Sequence, residues 1–198
     1  MKINLIIPAF FLAILSFSQN VHNEVDEYRN TGFFNITRIG YKFINEAKLE
    51  TFDTENGVVV TSLPTDNAFA LGLQTINGYF INPYISAGVG IGLDGYNNPN
   101  FNTLPLFIDV RGYFSDDASS LYAVFNYGTL LKIDGDKNNG SMLNLGVGYK
   151  FPVNDKRLMF VSDLSWSYKQ ISNDGLSIQE SESWTLINGI LLTFGIIF

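Results

Sequence analysis

Seven charged residues stand at strand spacing among apolar neighbours: Arg38, Lys42, Asp109, Arg111, Lys150, Asp163 and Lys169. Asn126 sits in the same kind of position. Both signs are represented. Such a set suits one of two jobs. It can line a narrow pore as a selectivity element, or it can pair internally and fill an interior, since a buried charge is expensive unless it is paired. Other chemistry is poorly supplied. His22 is the only histidine and there is no cysteine. Hydrolytic sites of the usual kind need a general base near neutral pH, which His22, close to the amino terminus, is badly placed to supply. Gly88, Gly90 and Gly92 recur at a period of two and precede no helix, so they do not form a phosphate cradle. The run DGDKNNG (134–140) has the acidic start of a calcium loop and lacks the closing glutamate. The expectation is a non-enzyme with no metal and no cofactor.

What must position these charges is clearest at the carboxy-terminal end. Trp184, Leu186, Asn188, Ile190, Leu192, Phe194, Ile196 and Phe198 alternate with Thr185, Ile187, Gly189, Leu191, Thr193, Gly195 and Ile197. Side chains alternate faces along a strand, so one face is bulky and apolar and the other narrow. A soluble sheet seldom leaves so long an apolar edge exposed, because it invites aggregation. A closed barrel in lipid removes the edge and gives the bulky face a solvent.

The amino-terminal end and the composition agree. Residues 1–18 read as a secretory signal: Lys2, an apolar run, and small residues before a cleavage at Gln19. The run is shorter than the roughly 20 apolar residues of a spanning helix. Residues 19–30 are polar and aperiodic, and read as a periplasmic tail. Charged residues make up only 16%, against aromatics at 15% and 18 glycines. That balance suits a small membrane barrel better than a soluble domain. The net charge of −7 argues against nucleic acid as a partner.

Periodicity over residues 31–198 predicts eight antiparallel strands in an up-and-down barrel, at 32–44, 69–81, 84–93, 103–114, 120–131, 141–151, 157–170 and 184–198. The first is the weakest, because Asn35 and Thr37 interrupt its apolar stripe. Short turns at 82–83, 115–119 and 152–156 alternate with long polar connections at 45–67, 94–102, 132–140 and 171–182. Residues 58–61 could extend a hairpin above the membrane. Asp94, Asp134, Asp136, Asp174, Glu180 and Glu182 fall in these connections. Short turns on one side and long loops on the other are usual in outer-membrane barrels, and the order puts both termini on the periplasmic side.

Alternation alone does not say which face is inside. A soluble carrier would turn the apolar face inward. The second face here is rich in Gly, Ser and Asn, which suit the interior of an eight-stranded barrel. Aromatics gather near strand ends, as interfacial girdles do. Apolar-out is therefore expected. An eight-stranded interior is only wide enough for side chains, so the inward charges should form a filling network and not a channel.

The stretches GYFINPYISAGVGIGLDGY (78–96), LPLFIDVRGYF (104–114) and NLGVGYKFP (144–152), with an aromatic last residue, resemble the small outer-membrane β-barrel domain family, often labelled porin-like. The resemblance covers about residues 31–198. It implies an outer-membrane protein bathed in lipid and inserted by the barrel-assembly machinery. That machinery would recognise the terminal strand, here Phe194, Ile196 and Phe198. It implies no common substrate. A structural or surface-interaction role through loops 45–67 and 171–182 is the leading expectation, with an unidentified extracellular partner. A small-solute channel and a soluble carrier are the alternatives.

Overall fold

The computed structural model describes residues 30–53, 57–98, 100–131, 137–153, 158–173 and 183–198. Residues 1–29, which hold the expected signal segment 1–18, the expected tail and His22, lie outside them. Nine strands follow one another: β1 (Gly32–Asp53), β2 (Gly57–Ser62), β3 (Phe69–Asn82), β4 (Ile85–Asn97), β5 (Asn100–Tyr113), β6 (Ser120–Leu131), β7 (Lys137–Pro152), β8 (Met159–Asn173) and β9 (Ser183–Ile197). All pair antiparallel. β1 pairs with β3, each later strand pairs with the next, and β9 returns to β1 from Ile36↔Ile197 to Thr51↔Ser183. Eight strands thus close a barrel. β2 stands apart and pairs only with the upper part of β1, from Lys48↔Ser62 to Asp53↔Gly57. Gly57, the first residue of β2, has φ of 75°, a conformation that residues with a Cβ rarely adopt.

The strands outrun their apolar stretches. Residues 45–53 continue β1 instead of opening a loop. The expected loop 94–102 is the top of a hairpin, with Asn97 paired to Asn100. Likewise β7 starts at Lys137 and β8 runs to Asn173. A strand of roughly 9–11 residues crosses a bilayer, and β1 has 22. The ladder is made of backbone hydrogen bonds, so it continues where the side chains turn polar. Hydrophobic alternation marks only the stretch that meets the apolar layer.

One irregularity in β1 changes its facing. The register with β9 slips between Ile44 and Glu46. Below the slip the even-numbered Arg38, Lys42 and Ile44 are buried; above it Ala47 is the buried residue. A bulge of this kind inserts one residue and shifts everything beyond it to the other face.

Through the rest of the barrel, apart from register shifts after Phe80 and between Lys137 and Gly140, the two faces are separated. On the outside, Leu145 is 57% exposed, Val89 56% and Phe194 54%, while Asp109 and Arg111 inside are fully buried. Leu73, Ile108, Phe125, Leu164 and Trp166 share the outer face. Aromatic pairs mark its two rims. Phe33 and Tyr79 meet edge to face at 4.9 Å at one end. Tyr41 stacks on Phe69 at 5.4 Å toward the other. Phe33 and Phe43 are about ten residues apart, roughly 33 Å along a strand, or about 25 Å of height at a 40° tilt. That matches the apolar band of an outer-membrane barrel. The upper limit is visible on the next strands, where outward Thr129, Ser141 and Gln170 pair in one rung.

The weak stripe of β1 has a structural answer. Outward Asn35 donates to Thr75 Oγ1 at 3.1 Å and to Asn77 Oδ1 at 2.9 Å, and Thr37 donates to Asn35 at 3.1 Å. These polar residues of β1 are matched by polar residues of β3 in register. The amides satisfy one another instead of facing hydrocarbon unpaired.

The inward aromatics pack on glycines of the neighbouring strand. Phe34 lies against Gly78, Phe107 against Gly90 and Tyr122 against Gly148, each leaving no room for a Cβ. A narrow lumen holds large rings only where the facing wall is bare backbone.

Leu145→Arg places a cation on the outer face near the middle of the band and should destabilise the barrel by about 2–4 kcal/mol. Ser141→Arg, on the same face at the rim, should cost about 0–1 kcal/mol. Equilibrium urea unfolding from lipid vesicles measures both; equal effects would contradict the assigned band.

A charged network that closes the lumen

Alternation aims one side chain in two at the barrel axis, and in eight strands these side chains meet. At mid-height the meeting point is Arg38. Its Nε donates to Gln74 Oε1 at 2.9 Å, its Nη1 to Asp163 Oδ2 at 2.8 Å and its Nη2 to Asn126 Oδ1 at 2.9 Å. Asn126 passes the link on, donating through Nδ2 to Asp109 Oδ2 at 2.7 Å. Asp109 is held by Arg111, Nε to Oδ1 at 2.9 Å and Nη2 to Oδ2 at 3.3 Å. Arg111 approaches Asp163 through Nη1 at 3.8 Å. Asp163 also accepts from Tyr122 Oη and, at 2.6 Å, from Thr193 Oγ1.

This network draws on β1, β3, β5, β6, β8 and β9. Two guanidinium groups and two carboxylates balance in charge. Rings cover what the ion pairs leave open. The Arg111 guanidinium lies 4.9 Å from the centre of the Tyr122 ring and that of Arg38 lies 5.9 Å from the Phe107 ring. Cations over ring faces gain further electrostatic stabilisation. Asp163 is the keystone. Two cations and two hydroxyls surround its two oxygens, so each lone pair that burial removes from water has a partner.

The network has neighbours above and below. Toward the end that carries the short turn at Pro83, Lys150 donates to Asn30 Oδ1, which ties down the start of β1, and lies 5.3 Å from the Tyr113 ring. Asn30 in turn donates to Pro83 O at 2.8 Å, in the short turn between β3 and β4. Toward the outer end Lys169 pairs with Asp94 and donates to Thr103 Oγ1 at 3.0 Å, beneath the Tyr96 ring at 5.4 Å. Tyr96 and Phe101 stack at 4.4 Å and roof this level.

The structure therefore brings Arg38, Asp109, Arg111, Asn126 and Asp163 into one contact set and places Lys150 and Lys169 on separate levels. Asp94 corrects the sequence reading. It stands inside the lumen as the partner of Lys169, because β4 runs past the point where its apolar stripe ends. Of the other acidic residues expected in the outer connections, Asp134, Asp136, Asp174, Glu180 and Glu182 lie outside the described residues. Among those described, no group of three or more His, Cys, Asp or Glu side chains could hold a metal ion. Gln74, Tyr122 and Thr193 were not singled out by sequence. Their signal was only inward parity, which they share with many bystanders. At the terminal strand, Phe194 projects outward, and Phe198 extends the β1–β9 ladder through mutual backbone bonds with Asn35 at 2.8 and 3.0 Å.

Asp163→Asn leaves two buried guanidinium groups short of a counter-charge. It should destabilise the folded barrel by about 3–5 kcal/mol, the usual effect of breaking a buried pair from one side. By contrast, Lys48→Ala removes an exposed pair with Glu46 at 2.6 Å and should leave stability unchanged within error. Denaturant unfolding from vesicles compares the two.

Neither a family model nor a curated protein matches the chain. Solved structures do. The outer membrane protein OprG from Pseudomonas aeruginosa superposes with a TM-score of 0.57 at 9% identity, over 88% of this chain and 98% of that one. The outer membrane protein AlkL, determined in DMPC lipid bilayers, gives a TM-score of 0.50 at 12% identity, over 91% and 95%. At such identities the likeness speaks for architecture. The fold is the closed eight-stranded antiparallel β-barrel of small outer-membrane proteins.

Proposed function

We propose that this chain is an exported, non-catalytic integral protein of the outer membrane of a Gram-negative cell, with a lumen filled by side chains. Its role on this reading is structural or one of surface interaction. The observation that carries the reading is the cross-lumen set of Arg38, Asp109, Arg111, Asn126 and Asp163, all buried and mutually bonded. Conduction would require these contacts to part, and each unpaired charge in so narrow an interior would be heavily penalised. The outward apolar face supports the membrane location and speaks against a soluble carrier, whose apolar face would line a cavity.

If the lumen carries nothing, the work falls to the part above the apolar band. There β1 and β2 project as a hairpin. Phe52, Val58 and Val60 are all exposed there. Their exposure supports a contact surface for an extracellular partner. The terminal strand, with Phe194, Ile196 and Phe198 on one face, supports delivery by the barrel-assembly machinery.

Planar bilayers containing the purified barrel should stay at background conductance under applied voltage. Stepwise openings would overturn the filled-lumen reading in favour of a small-solute channel. The protein should also stay with membranes through carbonate extraction and migrate differently on a gel before and after boiling.

A further inference from the structure

The outward polar residues of β1 and β3 form a chain of hydrogen bonds that ends in lipid. Thr37 donates to Asn35, and Asn35 donates through Nδ2 to both Thr75 Oγ1 and Asn77 Oδ1. Those bonds satisfy Asn35, which is 7% exposed. They use Asn77 only as an acceptor. Its own NH₂ has no acceptor among the described residues, and the residue is exposed on the lipid face. Turning both amides over makes Asn77 a donor to Asn35 and leaves its oxygen bare. Its outer half therefore lacks a partner in either orientation.

The Asn35–Asn77 pair stands two residues above the Phe33–Tyr79 pair of the rim, about 5 Å deeper at the tilt of such strands. Acyl chains hold no acceptor and no donor at that depth, and an amide unmatched in hydrocarbon is heavily penalised. The outward amides Gln170 and Asn188 stand at the upper rim instead, where Asn188 donates to Glu46 at 2.9 Å. The in-register neighbours of Asn77 are Asn35 and Val89. Both are short, so a second wall can come close to the amide, as small residues permit between membrane helices.

Another carboxamide suits this end best. A carboxamide both donates and accepts, so two of them close a pair of N–H···O bonds. Copies of one chain cross the membrane in the same direction. The twofold axis that relates two of them then runs along the membrane normal and brings equal depths together. Asn77 of one copy meets the same residue of the next at the depth where each lacks a partner. We infer that the outer face around Asn77 is a contact surface for a second copy of this chain, with the two Asn77 carboxamides bonded to each other across the axis. Ile39, Leu73 and Val89 pack around them in place of lipid. The inference rests on the lipid-facing side of β1 and β3 and is independent of what fills the lumen or touches the outer hairpin.

The chain has no cysteine, so single cysteines report on the contact. Copies labelled at Ser62→Cys with donor or acceptor dye are mixed in DMPC vesicles, and energy transfer is followed as the protein-to-lipid ratio rises. The parent should pass from monomer to dimer, and Asn77→Leu should need a roughly tenfold higher ratio. A short bismaleimide should join two copies through Val89→Cys and not through Leu145→Cys, which lies on the opposite wall in β7. That second readout holds whatever Asn77→Leu does to folding. Energy transfer no higher than random mixing at every ratio would leave the amide to lipid carbonyls and overturn the site. So would an unchanged midpoint in Asn77→Leu, or equal cross-linking at positions 89 and 145.

Discussion

Everything in this barrel depends on the return of β9 to β1. Once that ladder closes, no sheet edge is left within the apolar band, each of the eight barrel strands is bonded on both sides there, and the chain acquires an inside and an outside. Alternation then sorts side chains without further instruction: one residue in two toward lipid, the next toward the axis. The same closure forces the inward side chains together, because eight strands enclose little space. Charges that would be scattered on an open sheet become a single bonded set around Asp163 and Arg38.

The inside is therefore organised as alternating polar and aromatic layers. Arg38, Arg111, Asp109 and Asp163 share one level, and the rings of Phe107 and Tyr122 seal against it. The rings fit because Gly90 and Gly148 present bare backbone. Replacing the ion pairs by well-packed apolar residues would often be no less stable, so their presence here fits a role in register as well as strength. Arg38 of β1 and Asp163 of β8 are 125 residues apart in sequence, and their bond is made only when the strands between them are correctly in place.

Much of this was legible in the sequence. The period-two pattern gave the strands of the apolar band, their facing and the inward set Arg38, Asp109, Arg111, Asn126, Lys150, Asp163 and Lys169. The strand ends were not legible, because backbone pairing does not require apolar side chains and leaves no mark on hydropathy. That is why Asp94 read as a loop residue and is a lumen residue. The slip after Ile44 was equally silent, since one extra residue in a polar stretch leaves no pattern to break. Asn35 and Thr37 looked like defects in β1. Their meaning lay in Thr75 and Asn77, forty residues on, and only the register joins them.

The central claim is that lipid wets one face of these strands and that packed side chains, not water, occupy the other. The chain has no cysteine, so single cysteines carrying spin labels can be walked along residues 142–149 in vesicles. Accessibility to oxygen should be high at 143, 145, 147 and 149 and low between them. A water-soluble paramagnetic reagent should reach neither set. Loss of the two-residue alternation, or entry of the water-soluble reagent at 142, 144, 146 and 148, would contradict the account.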